Sequence, residues 1–98
     1  MNSPAKTYID AGNTLKEQGR LDEAIANYQQ ALKIEPNNAL AYSQIGEIYV
    51  MQGKMAEAIA ACQNAIKLQP NLAAAYKNLG NALQAGGKID EAIRAYTK

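Results

Sequence analysis

The side chains of this chain that could do chemistry are amides, carboxylates, phenols and a single thiol; histidine is absent. No cluster has metal-ligand spacing and no glycine-rich loop could cradle a phosphate, so metal-assisted hydrolysis and nucleotide chemistry lack their parts. Cys62 falls on the apolar side of a helical stretch, where a thiol is an inert space-filler. Glu23, Glu57 and Glu91 recur once every 34 residues, which separates them and leaves no carboxylate pair for acid–base work. The six tyrosines, Tyr8, Tyr28, Tyr42, Tyr49, Tyr76 and Tyr96, sit at packing positions, and a net charge of +1 supplies no basic stripe for nucleic acid. That leaves the amides. Amide side chains such as Asn13, Gln44, Asn78 and Asn81 can each donate and accept a hydrogen bond. The expectation is a binding surface and no enzyme, with no cofactor and no metal.

The elements that must position these residues are set by a period. Gly12, Gly46 and Gly80 are spaced by 34, as are Tyr8, Tyr42 and Tyr76, then Gly19, Gly53 and Gly87, and Pro36 and Pro70. A repeat of this length marks stacked helical hairpins. Apolar residues at i, i+3, i+4 and i+7 predict helices over about 5–18, 22–35, 39–52, 56–69, 73–85 and from about 90 onward. Gly19, Gly53 and Gly86–Gly87 end the first helix of each pair, since glycine enters a left-handed turn cheaply. Pro36 and Pro70 stop the second helices, having no amide proton. Asn37–Asn38 offer a side-chain oxygen to cap the helix that follows. The small residues Gly12, Gly46 and Gly80 are expected to face Ala24, Ala58 and Ala92 and bring paired helices close.

These residues resemble the tetratricopeptide repeat (TPR) family. The first repeat supplies Tyr8, Ala11–Gly12, Leu15, Ala24, Tyr28, Ala31 and Pro36; the second Tyr42, Ile45–Gly46, Tyr49, Ala58, Cys62, Ala65 and Pro70; the third Tyr76, Leu79–Gly80, Leu83, Ala92 and Tyr96. The resemblance implies an all-α, right-handed superhelix of about six antiparallel helices in three helix–turn–helix hairpins. Residues 1–4 read as a disordered leader and 5–98 as one domain, with repeats at 5–38, 39–72 and an incomplete 73–98. The third repeat stops before its proline, so the chain reads as a fragment of a longer protein whose last helices leave an open self-association face at Leu83, Ile89 and Ile93.

In this family the first helices of the hairpins line a concave groove that holds partner peptides. Helical projection then places Lys6, Ile9, Asp10, Asn13, Lys16 and Glu17, Leu40, Ser43, Gln44, Glu47, Val50 and Met51, and Lys77, Asn78 and Asn81 on it. The carboxylate clamp of chaperone-adaptor repeats would fall on Ile9, Asn13, Gln44, Ala74 and Asn78; only Asn13 matches and every cation is missing. The asparagine ladder of repeats attached to O-linked N-acetylglucosamine transferases would fall on Asp10, Gln44 and Asn78, and the third repeat matches it best. The resemblance implies a scaffold for a protein or peptide partner, whose backbone the groove amides Asn13, Gln44, Asn78 and Asn81 would read without regard to its sequence. Alternatives are self-association through the open end and substrate recruitment for an attached transferase. No signal-like leader and no apolar run of spanning length occur, so the expected setting is cytoplasmic, away from membranes.

Overall fold

The computed structural model describes residues 4–85, which form five α-helices and, within that span, no strand. They are α1 (Pro4–Glu17), α2 (Leu21–Ile34), α3 (Ala39–Met51), α4 (Met55–Leu68) and α5 (Ala73–Ala85). Each lies within a residue or so of its expected bounds. Pro4, counted with the leader in the sequence reading, opens α1, where its missing N–H is no loss. The expected sixth helix, with Ile89, Ile93 and Tyr96, lies outside the described residues.

The punctuation works as its chemistry requires. Gly19 and Gly53 adopt φ of 77° and 76°, the left-handed region. Around them the Arg20 amide donates to the Leu15 carbonyl at 2.9 Å and Gly19 to Lys16 at 3.0 Å; Lys54 to Tyr49 at 2.8 Å and Gly53 to Val50 at 3.0 Å repeat the motif. Both hairpin turns thus satisfy the last carbonyls of α1 and α3 with a left-handed glycine. Asn38 caps α3, its Oδ1 accepting from the Ala41 amide at 3.0 Å.

Within each hairpin α1 packs along α2 and α3 along α4; between hairpins α3 and α4 both receive α5, while α1 and α3 lie further apart. The reason is side-chain size. The seam of α3 and α5 is lined by Ala39, Ser43 and Ala75, all buried, whereas α1 brings Ile9 to its side of the core. The main cluster joins Ala5 and Ile9 of α1, Ala24, Ile25, Tyr28 and Ala31 of α2, and Ala41, Ile45 and Ile48 of α3. Of the tyrosines expected to pack, Tyr28 is fully buried, Tyr42, Tyr49 and Tyr76 are half-buried, and Tyr8 is exposed on the first helix.

The glycines meet more than the alanines expected of them: Ala58 does lie beside Gly46, its carbonyl oxygen 3.4 Å from an added Cβ, but the nearest atoms belong to the residue one turn further on. A Cβ placed on Gly12 would lie 2.7 Å from the Tyr28 ring, and one on Gly46 would lie 2.6 Å from Cys62 Sγ. The glycine makes room for the large residue one helical turn beyond the alanine. Cys62 itself is buried, and burial pushes its thiol up to about 11, the inert state expected of it. Leu83 corrects another expectation. It is only 7% exposed and packs with Ile59 and Leu79, while its expected companions Ile89 and Ile93 lie outside the described residues.

Candidate interaction groove

Helices α1, α3 and α5 carry the residues expected in the groove, and the structure divides them into three groups. Lys6, Asp10, Leu40, Met51 and Lys77 are exposed, and Asn13, Lys16, Gln44, Glu47 and Asn81 are partly so. Ile9, Ser43 and Asn78 are not groove residues: they are 8%, 0% and 6% exposed. Each lies on a flank of its helix that faces an adjacent hairpin: Asn78 of α5 faces back to α3, where its side chain bonds the Ser43 carbonyl. Projection around one helix places a side chain at an angle; it does not say how near the next helix stands.

Asn78 shows what that burial does. Its Nδ2 donates to the main-chain carbonyl of Ser43 at 2.9 Å, tying α5 to the middle of α3. The Ser43 hydroxyl turns back to the Leu40 carbonyl at 3.1 Å. A buried amide placed this way holds two helices in register. The position expected to read a ligand is structural.

The junction between α1 and α3 is built differently. Lys16 Nζ reaches across from α1 and donates to Gln44 Oε1 at 2.8 Å and Glu47 Oε2 at 3.1 Å. Its side chain is 19% exposed and that of Glu47 41%, so the ion pair is worth on the order of 1 kcal/mol or less. Its importance is geometric. An ammonium has only donors, so Gln44 must present its carbonyl oxygen to Lys16 and its NH2 group elsewhere. One turn away, the buried Tyr28 hydroxyl donates to Asn13 Oδ1 from beneath the groove. Burial first, then the charges of Glu47 and Glu17, push the Tyr28 phenol up to about 12, which keeps it protonated and donating. The sequence treated Tyr28 purely as core; its aromatic body is core, and its polar tip orients a groove amide.

The remaining side chains complete the surface. Lys6 and Asp10 pair at 2.8 Å on the exposed face of α1, a contact worth a few tenths of a kcal/mol. Leu40, Gln44, Glu47 and Met51 fall at i, i+4, i+7 and i+11, a single stripe of α3 with apolar ends and a polar middle. Leu40 is 40% and Met51 55% exposed. The Gln52 amide, just past α3, donates to Asp22 Oδ1 at 2.8 Å and pins the far edge of the same junction to α2. Among the described residues no group of histidine, cysteine, aspartate or glutamate could hold a metal ion, and no helix is long and apolar enough to cross a membrane.

A helical-hairpin array with a side-chain-lined face on its first helices defines a class, the helical repeat proteins. Family comparison names the member. A profile described as TPR repeat matches residues 12–53, and one described as Tetratricopeptide repeat matches residues 37–98. The chain belongs to the tetratricopeptide repeat family. Among solved structures it is similar to the first TPR of Spaghetti (RPAP3) bound to the HSP90 peptide SRMEEVD, at a TM-score of 0.93 and 30% identity, over 95% of this chain and 76% of that one. It is also similar to MamA, at a TM-score of 0.87 and 28% identity, over 95% of this chain and 51% of that one. Among curated proteins, 44 residues are 43% identical to the protein O-mannosyl-transferase TMTC1 of Homo sapiens, a match over 45% of this chain. The chain spans 5% of that relative's length.

Proposed function

We propose that this chain is a protein-interaction scaffold that holds an extended peptide segment along α1, α3 and α5. The observation that carries the reading is the Lys16–Gln44–Glu47 bridge, which lays a rigid polar strip between the exposed apolar ends Leu40 and Met51. The peptide complex of the similar Spaghetti (RPAP3) repeat supports a peptide as the kind of partner. The chain lacks the clamp cations of chaperone-adaptor repeats, and its position for the first of them, Ile9, is buried, so a C-terminal carboxylate is not the anchor. Binding rather than catalysis is the role of these residues, in a soluble, cytoplasmic setting. The test is an array of extended peptides probed with the purified chain. Gln44→Ala and Met51→Asp should each weaken binding at unchanged molar mass; full binding by both variants refutes the groove.

A second reading has the repeats recruit substrate for an attached transferase, favoured by the 44-residue match to TMTC1. It differs in what lies beyond this chain and uses the same groove.

A further inference from the structure

The groove was expected to read a peptide with amides that donate and accept alike. The hydrogen bonds remove that freedom. Gln44 Oε1 is engaged by Lys16 and Asn13 Oδ1 by Tyr28, while Asn78 Nδ2 is engaged by the Ser43 carbonyl. Neither Gln44 Nε2 nor Asn13 Nδ2 has a partner among the described residues, and neither is a buried orphan. Residues 44 and 78 occupy the same place in successive repeats, yet one turns its NH2 outward and the other inward.

We infer that Gln44 and Asn13, at the junction of α1 and α3, face the partner as hydrogen-bond donors, their NH2 groups bonding carbonyl oxygens of the bound segment. Lys16 and Tyr28 are the positioning residues that fix this polarity, and Asn78 does not touch the ligand. The inference rests on the peptide reading of the groove and adds which atoms are read. Two sources could supply such oxygens, main-chain carbonyls or side-chain carboxylates. Charge decides between them. Lys16 neutralises one of the two nearby carboxylates, Glu47, and Glu17 has no ion-pair partner among the described residues, so the junction is net negative and disfavours a carboxylate. The oxygens are main-chain carbonyls.

The decisive experiment has a ligand-free arm and a peptide arm. In the free protein, side-chain amide exchange followed by NMR should show Gln44 and Asn13 NH2 protons exchanging near the solvent rate and those of Asn78 slowed more than tenfold. Lys16→Met should move the Gln44 side-chain carbonyl resonance, and Lys16→Arg, which keeps a donor-only cation, should restore it. Protected Gln44 protons in the free protein would overturn the inference whatever binds. In the peptide arm, the strongest peptide from the array should bind Gln44→Glu about tenfold more weakly, the loss expected for one hydrogen bond left unmade at a partly buried site. Undiminished binding to Gln44→Glu overturns it, as does tighter binding of the acidic peptide SRMEEVD than of a neutral one. If no peptide binds while exchange is as described, the peptide reading fails and the donor polarity of the junction stands.

Discussion

Replacing Gly12 by alanine tests the link between packing and the groove in a single methyl group. The new Cβ would meet Tyr28 Cε1 at 2.7 Å and Cδ1 and Cζ at 2.9 Å, against the roughly 3.5–4.0 Å at which carbon atoms attract. Three ring atoms must therefore withdraw by more than half an ångström. Tyr28 is fully buried and its ring is rigid, so the strain falls on the packing of α1 against α2. Overpacking of this kind costs about 1–3 kcal/mol, while alanine in mid-helix recovers about 1 kcal/mol of propensity. The net expectation is a loss of about 0–2 kcal/mol, which at its middle is several degrees in Tm for a chain of this size. Gly46→Ala should lose a comparable amount, because its Cβ would meet the buried Cys62 Sγ at 2.6 Å and a one-bond side chain has little room to yield. Thermal denaturation followed by circular dichroism reads both. Displacing the ring should also disturb the Tyr28–Asn13 hydrogen bond, which a shift of the Asn13 side-chain amide resonance would report. If Gly12→Ala melts higher than the parent, the close approach of α1 to Tyr28 is not what the glycine is for.

Three further outcomes follow from the same structure. Gly53→Ala should destabilise by about 1 kcal/mol although nothing lies within 4 Å of its Cβ, because φ of 76° is strained for alanine; Gly53→Asn should recover part of the loss in the same melts. Asn78→Ala should cost about 1–3 kcal/mol by breaking the bond to the Ser43 carbonyl, and by denaturant titration it should act on stability far more than Lys16→Met does. Stability should fall as pH rises from about 9: the folded Cys62 and Tyr28 hold their protons up to about 11 and about 12, so above the ordinary values of 9.0 and 10.0 the unfolded chain has lost protons that the native chain keeps. Melting temperatures across pH 8 to 11 check the sign; a Tm that rises through this range contradicts it.

Much of the fold was legible because it is written in residues whose backbone chemistry is local. Gly19 and Gly53 needed only a left-handed φ, Pro36 and Pro70 only a missing amide, and Asn38 only a reachable N–H three residues on. Exposure on the first helices was legible as a stripe: Lys6, Asp10, Asn13, Gln44, Glu47 and Met51 are all exposed or partly so. The seam between repeats was not. Whether Ile9, Ser43 and Asn78 meet water depends on the distance to the next helix, and that distance is set by side chains on two elements at once. Small Ser43 and Ala75 let α5 close on α3 and bury an amide that the 34-residue period had made equivalent to the half-open Gln44. The ring against Gly12 was missed for a related reason, since Tyr28 lies one turn beyond the alanine that the period pointed to. Polarity was the least legible property. An amide in a sequence has two faces, and only the residue beside it, Lys16 or the Ser43 carbonyl, selects one.

The measurement that bears most directly on the account is a titration of the isotope-labelled chain with its best array peptide, followed residue by residue by NMR. Shifts concentrated on Asn13, Gln44, Glu47, Met51 and Asn81, with the Gln44 side-chain NH2 becoming protected as the peptide saturates, are the expected result. Shifts confined to the outer helices, at Gln29 of α2 or Gln63 of α4, would contradict it and move the binding surface to the opposite side of the stack.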